Sequence, residues 1–354
     1  MQKSMMMMEG RKKRGIRKEN GNKIWKEEDL SGMELASLPN HPSFNLACIT
    51  KLDLSCNNLE SLPESAAARL VNLVELDIHS NQLKRLPNSI GCLSKLKRLD
   101  ASGNSLDSLP NTIQNCRSLE ELLINFNQLT QLPDSLGLGL SNLRLLSVHS
   151  NKLTFLPSTA HKLSSLRTLD AHLNSLLTLP KDLHLLPYLH SIDVSQNFQN
   201  LNSLPDSIGL LPSLTHLNIS YNCITTLPDS LACAAGLRSL KAEGNPLVSP
   251  AMEVVESGVD GVREYLIGRM NGVGMKGKGK RGWIWRMARC GMVVDVGRMR
   301  EMKKDDDMFE MVSEYHSVDG VWSPRRKYME VLSSPLRIFS RHRSAPASPS
   351  PTWK

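Results

Sequence analysis

His149 and His172 lie 23 residues apart, with Asp170 just before the second and Asn125 24 residues before the first. Imidazole and carboxylate together are zinc ligands. The seven cysteines (Cys48, Cys56, Cys92, Cys116, Cys223, Cys233 and Cys290) are scattered without a CxxC pair. They read as reduced thiols of a cytosolic or nuclear chain. No GxSxG, HExxH or P-loop sequence is present, and Gly272-Val273-Gly274 and the lysine–glycine alternation over 276–280 lack phosphate-loop spacing. Asparagine recurs most regularly, at Asn57, Asn81, Asn104, Asn127, Asn151, Asn174, Asn197, Asn222 and Asn245, every 23 to 25 residues. Whether these amides react, ligate or build depends on the elements that hold them.

Those elements are copies of one unit. LVELDIHSNQLKRLPNSIGCLSK (73–95) aligns with LKRLDASGNSLDSLPNTIQNCRS (96–118), and the pattern runs on to residue 236. A degenerate front copy puts Met33 in the asparagine place, 24 residues before Asn57, which makes about ten copies. The consensus LxxLxLxxNxLxxLPxx is the leucine-rich repeat. Leu76 and Ile78 alternate with polar neighbours, giving a short strand with one face inward. Where the chain turns off that strand, inward-facing backbone groups need partners. A buried amide both donates and accepts, and each unmet group would cost ~1–3 kcal/mol. The asparagines are therefore expected to form a structural ladder.

The expected fold is an α/β solenoid. It is a leucine-rich repeat horseshoe with a parallel concave sheet, an irregular or 3-10 convex side and a C-terminal capping helix. The Leu-Pro pairs direct an extended return segment, because proline fixes φ and donates no hydrogen bond. Ile90, Ile113, Leu136, Leu183, Ile208 and Leu231 close the core from the convex side. Pro250 suits a first helical turn, and Met252, Val255, Val259, Val262 and Leu266 fall at helical spacing, a cap for the last repeat. Residues 29–47 are expected to cover the first strand.

Such sheets bind through their outward strand positions. One column runs Asp53, Asp77, Asp100, Leu123, Ser147, Asp170, Asp193, Asn218, Lys241, and its neighbour includes His79, Asn125, His149 and His172. Glu75 and Glu121 flank the first column, as do Lys51 and Arg98. Phe126, Leu173 and Tyr221 are large apolar residues just before the ladder. The partner-binding candidates are Asp53, Glu75, Asp77, His79, Asp100, Glu121, Asn125, Phe126, His149, Asp170, His172, Asp193 and Tyr221. They make a mostly acidic stripe with a few apolar anchors, suited to a basic or mixed protein surface. His149 and His172 should stand side by side, but parallel registered side chains are not expected to converge as tetrahedral ligands must. No metal, cofactor or catalytic residue is expected.

The chain is 354 residues long with formal charge +8. Between residues 29 and 268 there are 16 Lys and Arg against 22 Asp and Glu, a net −6, so the positive excess lies in the tails. Four segments result: a basic disordered arm (1–28), the repeat domain with its caps (29–268), a basic Gly/Trp segment (269–304), and an acidic then Ser/Pro-rich disordered tail (305–354). Aromatic residues make up 5% of the chain, few stacking platforms for nucleic acid. No segment approaches the ~18 apolar residues that span a bilayer. Ser344 in Arg341-His-Arg-Ser-Ala-Pro346 is a candidate phosphosite of the kind 14-3-3 proteins bind.

With its LPxx(I/L) repeats, its Asn245-Pro-Leu end and the PAMEVVESGVDGVREYL cap, the chain resembles the plant intracellular Ras-group-related leucine-rich repeat proteins. That resemblance covers roughly residues 29 to 268. It implies a non-catalytic scaffold or adaptor in intracellular signal transduction, cytoplasmic or nuclear, whose partners include Ras- or ROP-type small GTPases or a signalling enzyme. The family's short Gly-Val-Tyr-Trp tail motif finds imperfect counterparts in Gly282 to Trp285 and Gly320 to Trp322. An alternative function is attachment to nucleic acid or a membrane surface through the basic tails.

Overall fold

The structure, a computed structural model, describes residues 16–19, 23–38, 45–198 and 200–274. Its framework is one eleven-stranded sheet in sequence order. The strands are β1 (Ile16–Glu19), β2 (Lys23–Asp29), β3 (Ile49–Asp53), β4 (Glu75–Asp77), β5 (Arg98–Asp100), β6 (Glu121–Leu123), β7 (Leu145–Ser147), β8 (Thr168–Asp170), β9 (Ser191–Asp193), β10 (His216–Asn218) and β11 (Ser239–Lys241). β1 pairs antiparallel with β2, and all later neighbours pair in parallel, which makes ten parallel strands in an open solenoid.

From β3 to β11 the register aligns Leu52, Leu76, Leu99, Leu122, Leu146, Leu169, Ile192, Leu217 and Leu240 across the sheet. All but the half-buried Leu240 are buried. Residues on either side of them face the concave surface, as strand alternation requires. Pro63, Pro87, Pro110, Pro157, Pro180 and Pro228, with φ between −57° and −68°, each deliver an extended chain into a convex turn. Those turns are mostly 3-10, such as Asn88–Cys92 and Asn111–Asn115, with single α turns at α1 (Glu64–Ala67) and α2 (Leu136–Gly139). Ile90, Ile113, Leu136, Leu183, Ile208 and Leu231 are buried beneath them.

Each ladder asparagine joins two repeats. Asn127 Nδ2 donates to Ile124 and Asn125 carbonyls in its own repeat and to Ala101 O in the preceding one, at 3.0–3.1 Å. Its Oδ1 accepts the Leu106 N–H at 2.9 Å. Asn57 reaches back in the same way, accepting from Met33 and Leu35 N–H groups at 3.0 and 2.9 Å, so the front copy is a true repeat. Asn222 differs: its Oδ1 takes the Asn197 N–H at 2.8 Å, where the insertion after Asn197 displaces the usual leucine.

Two expectations about the ends need correction. The arm over 1–28 is not disordered throughout: β1 and β2 form a hairpin, and β2 covers the edge of β3. An uncovered parallel edge would leave β3 backbone groups unpaired, so pairing there satisfies them. The C-terminal cap is two helices, α3 (Met252–Glu256) and α4 (Val259–Gly274), broken at Gly258 with φ +99°. It extends past residue 268, so the first residues given to the basic segment belong to it. Leu266 and Met270 are buried, and Arg269 donates to Asp229 Oδ1, Ser249 Oγ and Leu227 O, each at 2.6 Å.

Asn127→Ala should lower stability by about 3 kcal/mol or more, because it strands a buried N–H and buried carbonyls at ~1–3 kcal/mol each. Asn142→Ala, which removes one exposed bond to Arg117 O, should cost under about 1 kcal/mol. Urea denaturation followed by circular dichroism compares the two.

Candidate functional site

The concave face is built from the residue pairs that lead each strand into its ladder asparagine. Asp77 Oδ1 accepts the His79 backbone N–H at 3.0 Å and meets its Nδ1 at 2.6 Å. Asp100 holds Ser102, and Asp193 holds Ser195, through backbone N–H and Oγ. Asp170 contacts His172 Nδ1 at 2.6 Å, and Asp53 accepts the Ser55 N–H at 2.9 Å. Asn218 makes the same pair of bonds to Ser220. One oxygen of each aspartate thus fixes the local turn. The Asp-x-Ser and Asp-x-His spacing was the signal for this role, which reading the column as a surface stripe missed.

The stripe is also less acidic than its composition suggests. Lys51 pairs with Glu75 at 3.0 Å, and Arg98 pairs with Asp100 at 3.3 Å and with Glu121. Asp170 and Asp193 differ, taking further bonds from Ser147 Oγ at 3.2 Å and Asn218 Nδ2 at 2.8 Å. Among the described residues no lysine or arginine lies within 4.0 Å of either carboxylate, nor of Asp53 or Asp77, while His172 Nδ1 stands 2.6 Å from Asp170 and His79 Nδ1 2.6 Å from Asp77.

Beside them is an aromatic row. Phe126 meets His149 edge-to-face with ring centroids 4.9 Å apart, and His149 stacks on His172 at 4.2 Å and 16°. The two histidines are side by side, as their register requires. Burial holds the His149 imidazole below its ordinary range. Asp170 pulls it upward, His172 presses it lower, and Asp193 raises it. Asn125, next in the column, has its Oδ1 buried without a hydrogen-bond partner.

The position before each ladder asparagine is left-handed: Cys56, Ser80, Gly103, Phe126, Ser150, Leu173, Gln196, Tyr221 and Gly244 all have φ between +51° and +70°. Glycine takes this conformation freely, and the turn imposes it on every other residue of the row, Phe126, Leu173 and Tyr221 among them. These three are also exposed, at 62%, 36% and 51%. Sequence reading placed them before the ladder without their backbone state.

Two groups bring potential metal-ligating atoms within 4.8 Å of one another, Asp77–His79–Asp100 and Asp170–His172–Asp193. Neither group contains the His149–His172 pair. The convergence has a local origin: in each, the imidazole Nδ1 is already bonded to the aspartate two residues before it. Cys48, Cys56, Cys92, Cys116 and Cys223 are free thiols, and burial pushes Cys116 up to about 12. Ser344, Gly282, Trp285, Gly320 and Trp322 lie outside the described residues.

This open sheet with its amide ladder is that of a leucine-rich repeat protein, and the chain belongs to the leucine rich repeat family, whose model matches residues 49–106, 117–176 and 187–247. Within that class it is similar to plant intracellular Ras-group-related LRR protein 1 of Oryza sativa subsp. japonica, 52% identical over 117 residues, or 32% of each chain. It is also 51% identical over 100 residues to plant intracellular Ras-group-related LRR protein 8 of Arabidopsis thaliana, covering 28% of this chain and 25% of that one. The matches thus span a third or less of these relatives, which carry the family name that the repeats and cap suggested. Among solved structures, an LRR protein of Leptospira interrogans superposes with TM-score 0.61 at 31% identity, over 66% of this chain and 59% of that one. YopM, a leucine-rich effector of Yersinia pestis, gives 0.50 at 31%, over 63% and 56%. Among the described residues no helix is long and apolar enough to cross a membrane.

In an NMR titration His149 should show a midpoint below 6.5, the ordinary value. Asp170→Asn should lower it further, since that carboxylate raises it. Because the folded-state value is depressed, the unfolded chain binds the extra proton first. Stability from this group is therefore complete above the ordinary histidine range and falls as the pH drops through it.

Proposed function

We propose that the chain is a non-catalytic protein-interaction scaffold in intracellular signal transduction, in the cytoplasm or nucleus, and that it engages Ras- or ROP-type small GTPases or their signalling partners through the concave face. One observation carries this reading. Phe126, Leu173 and Tyr221 are exposed apolar side chains in one row of the concave rim, with Asp170 and Asp193 on β8 and β9 and, among the described residues, no lysine or arginine within 4.0 Å of either carboxylate. The left-handed backbone is common to every repeat, so what sets these three apart is their size and exposure. Exposed aromatic groups such as Phe126 and Tyr221 are the side chains that anchor protein interfaces. The names of the plant relatives, intracellular and Ras-group-related, support the same assignment.

The test uses the full chain and a variant carrying Asp77→Asn, Asp100→Asn, Asp170→Asn and Asp193→Asn. Asparagine keeps the turn bonds, as Asn218 does in the same register, and removes only charge. Proteins captured from plant extract by the native chain should be lost by the variant. Purified small GTPase loaded with a GTP analogue should bind about tenfold or more weakly to it. Equal capture and equal affinity, with circular dichroism unchanged, would remove the concave face from consideration.

A further inference from the structure

Phe126, Leu173 and Tyr221 occupy the left-handed position in every second repeat, with Ser150 and Gln196 between them. With parallel strands ~4.8 Å apart, successive anchors are separated by about 9.6 Å. On a concave surface side chains converge, so the distance between their tips is no greater. That spacing discriminates among extended and helical ligands. A polyproline II helix repeats its face every three residues, about 9.3 Å. An α-helix presents a matching residue every seven, about 10.5 Å. In a β-strand, residues three apart, about 10 Å, point to opposite faces.

Resting on the scaffold reading above, we infer that this rim receives a proline-rich partner segment in the polyproline II conformation, with proline at every third position and arginine beside it. The site has the parts such a ligand needs. Tyr221 and Phe198 wall an open cleft of about 520 Å³, 51% and 54% exposed, in which a pyrrolidine ring can pack on an aromatic face. The Tyr221 ring lies so close over Gly244 that a Cβ there would fall 2.5 Å from it, so glycine is what lets the ring take this place. Phe126 is held upright by its edge-to-face contact with His149. Asp170 and Asp193, with no lysine or arginine within 4.0 Å among the described residues, lie in the middle of the row and attract the arginine.

The test measures fluorescence polarisation of a labelled synthetic peptide, with proline at every third position and arginine at both ends, on the full chain. Two controls accompany it: a peptide of the same composition with its prolines adjacent, and an amphipathic helical peptide with leucine at every seventh position. The first peptide should bind, the shuffled peptide at least tenfold more weakly, and the helical peptide no better than the shuffled one. Phe126→Gly, Leu173→Gly and Tyr221→Gly should each weaken binding about tenfold. Their thermal midpoints should hold or rise, because glycine takes the left-handed conformation freely. Equal binding of the ordered and shuffled peptides, preference for the helical one, or unchanged binding to the glycine variants would overturn the inference. So would a lowered midpoint in those variants, which would make the side chains packing elements. If the proline peptide fails while the asparagine variant still loses its captured proteins, this inference falls and the scaffold reading stands. If the peptide binds with the expected spacing while capture is unchanged, the charged column drops out of the scaffold reading and the rim remains as its binding surface.

Discussion

A chain that turns off a strand toward its own core carries N–H and C=O groups into a place without water. Here one side-chain amide per repeat answers them, with donors to three carbonyls and an acceptor for an N–H of the neighbouring unit. The strands from β4 onward are only three residues long and hold no sheet on their own. The amide spans the gap between units, so it sets both the stacking and the phase. Every other regularity follows from it, including the alignment of the buried leucines, the entry of each proline into its convex turn, and the two outward columns.

The same constraint shapes the concave rim. Closing the turn around the amide forces the preceding residue into the left-handed region in every repeat, whatever its type. Glycine accepts this freely, and the repeats outside the row of Phe126, Leu173 and Tyr221 carry a small or polar residue there. Where phenylalanine, leucine or tyrosine stands instead, the backbone aims a large apolar group outward at a fixed interval. The aspartates below have a double duty, since one oxygen fixes the turn while the other faces the concave surface. A column of like charges is thereby tolerated on adjacent strands.

Much of this was legible in the sequence. The period, the ladder, the inward leucines, the proline turns and the adjacency of His149 and His172 all follow from spacing alone, because each depends on residues in one repeat or in the next. What escaped depends on longer or subtler relations. The β1–β2 hairpin carries no leucine period, and only the need of β3 for a partner explains it. The break at Gly258 is a single positive φ inside a pattern whose apolar spacing continues across it. The pairing of Arg98 with Glu121 joins residues 23 apart, so counting charges by column could not show that part of the stripe is neutralised.

The two ends of the array are not equivalent. At the amino end Met33 offers no amide, so the first unit accepts the grip of Asn57 without extending one of its own. At the carboxyl end Arg269 binds Asp229, Ser249 and Leu227 across the last turn, and Leu266 and Met270 seal it. The two terminal units are thus closed by different means, the amino one by backbone pairing with β2 and the carboxyl one by a side-chain clamp.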